Sequence, residues 1–403
     1  MRAPRLLAPL AHRDFRLLWM GQTVSQLGNF VHSVALPFQI LALGGTPIQL
    51  GIAFAISTAA QLLFLLFGGA IVDRIPRRRA ILANDLLAGI VMSVVAALGV
   101  SGALRIEHLY VASAILGAAL AFLTPAMGAI IPELVPADVL VAGNALRGMS
   151  RQLARVGGPV VGGVVVAVAG PPVAFALDAL TFFVSFALLA AANPPAAAAP
   201  VERRPLLREV REGLDFTFSL PWLWITIFLA ALVNVALFGP LVIALPILVR
   251  DVLLASAATY GLISAAVGAG ELAGGVLAGQ LRVRRSGIVM YGWTIVCGLA
   301  IAAMGLAPSL APILVAALAL GVGLSGFSVL WDTALQRHVP RQLLGRVVAV
   351  DQFGAILLGP VAPLAFGGLV ERVGPAPMFV ASGLVMVVLC AAALFVPSIR
   401  HLD

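Results

Sequence analysis

Residues 68–82 read "GGAIVDRIPRRRAIL", which places one acid and four arginines between two long apolar runs. The whole chain is 61% hydrophobic and only 10% charged. Apolar runs of about 20 residues, long enough to cross a bilayer as helices, recur from end to end. Their apolar residues are continuous rather than alternating, which excludes barrel strands. The sequence therefore predicts an all-α membrane protein, with this charged cluster in the loop between its second and third helices.

Charged residues and Pro/Gly turns divide the chain into twelve predicted transmembrane helices. They are residues 16–43, 48–72, 80–101, 108–131, 139–168, 172–192, 221–249, 257–281, 286–307, 309–333, 345–370 and 376–396.

The chain also repeats itself. Pro136 and Gly170 each stand 204 residues before Pro340 and Gly374, within similar surroundings. Between the halves, the Pro/Ala-rich and charged residues 193–220 indicate a cytoplasmic linker. We therefore expect two pseudo-symmetric six-helix bundles, 1–192 and 221–403, which face a shared site near the middle of the membrane, as in many transporters.

The composition excludes several functions. All 25 basic residues are arginine, so the lysine of a Walker-A loop or of a Schiff base is missing. No metal-binding or catalytic pattern is present, and we expect no cofactor, no metal and no ATP hydrolysis. The net charge of +8 comes from arginines at helix ends, which indicates a lipid bilayer rather than a nucleic acid as partner.

Arginine placement also predicts the orientation. With both termini in the cytoplasm, Arg105, Arg250 and Arg372 alone fall on the outer side. The lysine-free, Ala/Gly-rich composition favours a bacterial source, so we predict a multi-pass protein of the bacterial inner (plasma) membrane.

Several motifs resemble the major facilitator superfamily. Gly69, Asp73, Arg74, Arg77 and Arg78 have the spacing of that superfamily's signature between helices 2 and 3, with proline where glycine is usual at the turn. The stretches "RDFRLLWMGQTVSQLG", "FALDALTFF" and "LWDTALQRHVPRQLLGRV" resemble its drug-efflux branch, which includes macrolide exporters and a siderophore exporter. One departure is that helix 4 lacks the arginine that many proton-coupled drug exporters carry midway along it.

The resemblance implies a cytoplasmic latch in which Asp73 faces the start of helix 11. The alternative is that these arginines only set the topology. Small residues around the helix 5 proline would permit a tight, bent contact between the two halves. The predicted gating residues are Gly69, Asp73, Arg74, Arg77, Gly158, Pro159 and Arg346.

Acids inside a membrane cost about 2.5–3.5 kcal/mol each at a helix centre, so each suggests a function. Glu271 lies deepest and is the first candidate for carrying a proton, with Asp178 in helix 6 as the second. A structural hydrogen bond is the alternative for both. We expect Asp85, Asp332 and Asp351, nearer the inner surface, to form ion pairs between helices with nearby arginines.

The predicted substrate cavity starts from a polar face of helix 1. Spacings of 4, 3 and 4 place four polar residues on one face, with a histidine beside them; hydrogen bonding between helices is the alternative. An asparagine in helix 7 is the counterpart, and two aromatic residues are candidates for contact with a lipophilic ligand. The predicted cavity residues are Gln22, Gln26, Asn29, His32, Ser33, Asn234, Phe122 and Trp331. Arg147, Arg151 and Arg155 could form a basic wall for an anion or, equally, reach lipid headgroups.

These observations favour a secondary active transporter, not an enzyme, that exports a lipophilic or amphiphilic small molecule by proton antiport with alternating access. We expect a monomer whose partners are its substrate and protons. The alternatives are an uptake or facilitated-diffusion permease of the same fold and, in a different class, a non-transporting membrane receptor.

Overall fold

The structure is a computed structural model that describes residues 5–72, 75–193, 206–281 and 283–403, and in these residues all regular secondary structure is helical. The chain divides into two compact units, and the first contains residues 1–199 and 255–265. A short 3-10 helix, Arg5–Ala11, precedes its long helices. These helices are α1 (Arg13–Ala42), α2 (Pro47–Val72), α3 (Arg77–Val100), α4 (Ile106–Leu134), α5 (Leu140–Ala169) and α6 (Pro171–Ala190).

The second unit contains residues 200–254 and 266–403. Its first helix is amphipathic and lies in the second part of the predicted linker, and its last is a single short turn. Its helices are α7 (Leu206–Ser219), α8 (Pro221–Val252), α9 (Ala257–Gln280, whose first turns belong to the first unit), α10 (Ser286–Leu306), α11 (Leu310–His338), α12 (Arg341–Ile356), α13 (Val361–Val373), α14 (Pro375–Ala393) and α15 (Pro397–Arg400).

Eleven stretches of the described chain are long and apolar enough to cross a membrane. Helix α1 is not among them, although at 30 residues it is also long enough. Its polar face lowers its mean hydropathy, and a polar face in a spanning helix is stable when it turns towards other helices or a watery cavity. The all-α membrane fold predicted from the sequence is thus confirmed, with α1 as the twelfth spanning helix.

Helix α1 lies between α5 and α6 in the first unit, and small residues allow these close contacts. A methyl group on Gly162 of α5 would lie 2.9 Å from the Cα of Val31 in α1. A methyl group on Gly158 would overlap the side chain of Phe30. In lipid, such close backbone approach supplies the van der Waals packing that holds spanning helices together.

The kinked half of α5 also packs against the first turns of α9. A methyl group on Gly163 would lie 2.7 Å from the carbonyl oxygen of Ala257, and one on Gly261 would overlap the carbonyl of Pro159. Close contacts around the helix 5 proline are therefore present within the first unit, with α1 and the start of α9, and a gating role for them stays a prediction.

Helix α10 of the second unit packs against α11 and α14, and an aromatic core fills the space beside α8. The amphipathic α7 lies along α12. At their crossing, Gly213 faces the backbone of Arg346, so that a methyl group there would lie 3.1–3.3 Å from it. Glu212 forms an ion pair with Arg346 at the same point. The second part of the linker is thus a helix that is fixed to α12.

The internal repeat is visible in backbone angles. Gly170 has φ 83° and ψ 163°, and Gly374 has φ 84° and ψ 167°. Each lies in a conformation that residues with side chains rarely adopt, and each precedes a proline that starts the last long helix of its unit.

Two predicted helices are less regular than the sequence suggested. The span at 221–249 extends to Val252 through two π-helical segments, Pro240–Ala244 and Leu248–Val252. The predicted helix at 345–370 is interrupted between Ile356 and Val361, because Pro360 cannot donate a backbone hydrogen bond and the chain forms short turns there.

Candidate functional site

The first unit contains an open cavity of 470 Å³, which we call the first-unit cavity. The polar face of α1 forms one side of it. All five α1 residues named from the sequence line this cavity: Gln22, Gln26, Asn29, His32 and Ser33. The Asn29 amide donates to the Ser25 carbonyl at 3.0 Å, and the Ser33 hydroxyl donates to the Phe30 carbonyl at 2.7 Å. Their oxygen lone pairs remain available towards the cavity.

Helices α2 to α6 form the rest of the lining, and most of its residues were not singled out from the sequence. It combines aromatic rings such as Phe54 and Phe182 with polar side chains such as Ser57, Asn84 and Ser113. Single polar residues scattered in four apolar helices give no periodic signal, so only their packing shows that they face one space. An apolar lining with a few polar groups is typical of small-molecule sites.

The most exceptional lining residue is Asp178 of α6, whose side chain is 1% exposed. Its Oδ2 lies 3.7 Å from Nδ1 of His32, and its Oδ1 accepts no hydrogen bond from the described residues. Nδ1 of His32 also has no hydrogen-bond partner there. Gly28 of α1 makes the site possible, because a methyl group in its place would lie 2.5 Å from Oδ1 of Asp178. The result is a buried acid–imidazole pair at the edge of a cavity.

A second buried acid, Asp85 of α3, lies behind the α1 face and is fully buried. It accepts hydrogen bonds from Ser185 at 2.7 Å, from Asn84 at 3.2 Å and from Gln22 at 3.3 Å. The Gln22 amide also donates to the Ser185 hydroxyl at 3.0 Å. Four side chains on α1, α3 and α6 thus form one connected polar network.

The expected ion pairs of Asp85, Asp332 and Asp351 are wrong, since none of these acids pairs with an arginine in the described parts of the chain. Asp85 has the three neutral donors just described. Asp351 accepts from Nε1 of Trp331 at 3.0 Å. In both cases a neutral donor on a neighbouring helix is close enough to bond the carboxylate.

Two of the three α5 arginines line the first-unit cavity, namely Arg147 and Arg151, and Arg155 does not. Arg147 also lines a smaller void beside Gln22 and Gln26, and its Nη1 donates to the carbonyl of Met127 at 3.3 Å.

The second unit has a smaller pocket of 70 Å³, lined by Asn234, Tyr291 and Cys297 among others. The Asn234 amide donates to the carbonyl of Ala355 at 3.2 Å. Asn234 therefore lines a different pocket from the α1 residues.

Two aromatic residues predicted to line a cavity do not line either of these pockets. Phe122 packs between α4 and α2, with its ring centroid 6.0 Å from that of Phe64. Trp331 is buried in the core of the second unit, where it stacks on Phe327 and contacts Trp222 edge-on. An apolar helix offers an aromatic ring several packed faces, and the sequence does not show which one faces a cavity. A contact of Phe122 or Trp331 with substrate stays a prediction.

Glu271 is also buried, at 9% exposure, in α9. It lies where α9 crosses α11, with Gly321 against its backbone nitrogen, and it does not line the cavities described above. Its candidacy for proton coupling stays a prediction.

The structure describes only some of the predicted gating residues. Asp73 and Arg74 lie outside the described residues, and Gly69 is described only as part of α2. Arg77 forms an ion pair with Glu133 at the end of α4. Arg78 donates to the carbonyls of Leu189 and Ala190, at 3.2 and 2.7 Å, and so caps the end of α6. This part of the quoted cluster thus ties three helices of the first unit together.

No group of three or more His, Cys, Asp or Glu side chains in the described ranges could hold a metal ion. Cys297 and Cys390 are both buried and unbridged. The chemistry available at the first-unit cavity is therefore binding, hydrogen bonding and proton exchange.

Comparison with known proteins decides the family. Residues 5–403 match the sequence profile of the transmembrane secretion effector family of the major facilitator superfamily. The chain belongs to this family. Among relatives, it is 26% identical over 399 residues to the multidrug efflux pump Tap of Mycolicibacterium fortuitum, covering 96% of each chain. It is 29% identical over 383 residues to the enterobactin exporter EntS of Citrobacter koseri, covering 89% of each.

A solved structure shows the same fold. The crystal structure of a bacterial homologue of the iron transporter ferroportin, in an inward-facing state, superposes with a TM-score of 0.72 at 17% identity. The match covers 94% of this chain and 98% of that one. Family membership makes the chain a multi-pass membrane transporter of an exporter family, and not an enzyme.

Proposed function

We propose that this transporter exports a lipophilic or amphiphilic small molecule through the first-unit cavity in exchange for protons, across a bacterial inner membrane with both termini in the cytoplasm. The relatives named for multidrug efflux and for enterobactin export support the direction of transport. The apolar and aromatic lining with scattered polar groups supports the substrate class.

The observation that supports proton exchange is the Asp178–His32 pair. A carboxylate in a low-dielectric environment is costly unless it is paired or neutralised. Asp178 is 1% exposed and lacks both an arginine partner and a hydrogen bond in the described chain. A proton bound to this pair removes the energetic cost of the buried charge. A substrate that enters the cavity would change the electrostatic environment of the pair. Proton binding and substrate binding are therefore linked through shared electrostatics.

Glu271 remains a second proton candidate in the other unit. The geometry favours Asp178, because Asp178 borders the cavity and Glu271 packs against the backbone of α11. In an exchange cycle, substrate binding must change the proton affinity of the proton site. A proton site that borders the substrate cavity provides this coupling most directly.

The test uses everted membrane vesicles with an acidic interior. Three dyes that share one fluorophore serve as probes: dansylglycine (anionic), dansylglycinamide (neutral) and dansylcadaverine (cationic). Export corresponds to uptake into these vesicles, and a gradient of one pH unit can sustain about tenfold accumulation per exchanged proton. We expect accumulation of at least one dye that collapses when the gradient is dissipated.

A matched vesicle preparation without the transporter gives the background. Uptake that equilibrates without accumulating, whatever the pH gradient, would instead identify a facilitated-diffusion permease. The missing arginine midway along α4 is the sequence feature that favours this second function.

A further inference from the structure

Two arginines line the first-unit cavity, and neither forms an ion pair with an acid among the residues that the structure describes. Arg147 and Arg151 are four residues apart on α5, so their side chains lie on the same helix face. Both lie inside a stretch that is long and apolar enough to span a membrane. Charged side chains in such a stretch are expensive and usually pair with an opposite charge.

The described residues supply no such charge at this place. Arg147 donates to a neutral backbone carbonyl, that of Met127. Arg151 forms neither an ion pair nor a hydrogen bond with another described residue, and its side chain is exposed. We call this end of the cavity, defined by Arg147 and Arg151, the basic end.

The nearby acids are already engaged. Asp85 is bonded to three neutral donors, and Glu133 is paired with Arg77. Asp178 lines the same cavity but stands beside His32. No acid in the described part of the chain forms an ion pair with the basic end, so its positive charge is available to a ligand.

The remainder of the lining is suited to an apolar body. Phe30, Phe54 and Phe182 provide aromatic surface, and Gln26 offers a buried amide oxygen that accepts no hydrogen bond from the described chain. A ligand that satisfies both regions has an anionic group at one end and an aromatic or aliphatic body with a hydrogen-bond donor beyond it. A cationic amphiphile would place its charge against two guanidinium groups.

We propose that the basic end makes this exporter selective for organic anions, with Arg147 and Arg151 binding a carboxylate or similar anionic group of the substrate. This proposal rests on the export function proposed above and specifies its substrate class. Guanidinium groups bind carboxylates by charge-assisted, often bidentate hydrogen bonds, which gives direction as well as affinity.

An anionic lipid headgroup shares this chemistry, and the experiment separates the two sources. The purified transporter is placed in nanodiscs of phosphatidylcholine alone or with added phosphatidylglycerol. Binding of dansylglycine and dansylglycinamide is followed by their fluorescence. The variants are Arg147→Gln, Arg151→Gln and the charge-retaining Arg147→Lys, with Arg155→Gln as the matched control, because Arg155 is on the same helix and does not line the cavity.

In phosphatidylcholine we expect dansylglycine to bind more tightly than dansylglycinamide. Loss of a charge-assisted hydrogen bond lowers affinity about tenfold or more. Arg147→Gln and Arg151→Gln should therefore each weaken the binding of dansylglycine by that factor. Dansylglycinamide should change little. Arg147→Lys should keep most of the preference for the anion, and Arg155→Gln all of it.

Equal affinities for the two dyes, no binding of dansylglycine, or an unchanged preference in both glutamine variants would overturn the proposal. Competitive displacement of dansylglycine by phosphatidylglycerol would assign the basic end to lipid and also overturn it. Anion binding without any vesicle flux would refute export but retain the anion site. Gradient-driven flux of all three dyes at equal rates, unchanged in the glutamine variants, would refute the anion site but retain export.

Discussion

A single methyl group at Gly28 should test the packing that positions the acid–imidazole pair. In Gly28→Ala the new carbon would lie 2.5 Å from Oδ1 of Asp178 and would overlap Oγ1 of Thr181. Ordinary contact begins near 3.4 Å, so the carboxylate must move by about 1 Å or α1 must separate from α6. The Thr181 hydroxyl is held by its bond to the carbonyl of Asp178 at 2.7 Å, which limits its ability to turn away.

The expected cost follows from these contacts. Overpacking a close interface costs about 1–3 kcal/mol, whereas alanine gains about 0.5–1 kcal/mol over glycine in a helix. We therefore expect a net destabilisation of about 1–2 kcal/mol, or roughly 1–2.5 °C in the unfolding midpoint of a chain of this length. The same displacement should also weaken gradient-driven dye accumulation, because Asp178 moves relative to His32.

Gly157→Ala is the matched control. Gly157 also lies inside a helix, α5, but an added methyl group meets open space there. Its midpoint should stay the same or rise. The assay is thermal unfolding in detergent, followed by tryptophan fluorescence, for which Trp19 on α1 is a local reporter. Equal midpoints for the two alanine variants would show that the close contact of α1 and α6 at Gly28 does not exist.

Two further predictions concern polar contacts. Ser185→Ala removes the hydroxyl that donates to Asp85 at 2.7 Å and accepts from the Gln22 amide. It should lower the free energy of unfolding by about 1–3 kcal/mol in the same assay. An unfolding midpoint equal to that of the unaltered protein would show that the polar network is not formed. Glu212→Gln should lower the free energy of unfolding by about 1 kcal/mol, because its ion pair with Arg346 is partly exposed. A double variant that exchanges the two charges, Glu212→Arg with Arg346→Glu, should recover most of this loss. If the effects of these two substitutions made singly simply add in the double variant, the ion pair is contradicted.

The helical frame was predictable because membrane helices are selected by length and hydropathy, both of which are local properties. The polar face of α1 was predictable for a similar reason. Gln22, Gln26, Asn29 and Ser33 follow the helical period, and a polar face cannot remain in lipid. The spacing alone therefore placed one side of the first-unit cavity.

The partners of these residues were not predictable. Whether Asp85 meets an arginine or Ser185 depends on the rotation of α3 relative to α1 and α6, which hydropathy does not determine. The direction in which Phe122 faces was not predictable either. Its neighbours Leu120 and Leu123 line the first-unit cavity, and Phe122 does not. The interruption after Ile356 could have been anticipated, since Pro360 and Pro363 remove two backbone donors within one turn.

The most direct test of the account is proton-driven accumulation by Asp178→Asn in proteoliposomes, compared with Glu271→Gln. Asparagine has nearly the same shape as aspartate but cannot carry the proton. Using whichever dansyl dye the unaltered protein accumulates, we expect Asp178→Asn to lose accumulation under a pH gradient while it still exchanges external dye for internal dye. Glu271→Gln should continue to accumulate. Accumulation by Asp178→Asn equal to that of the unaltered protein would contradict the central claim that proton coupling depends on the acid–imidazole pair.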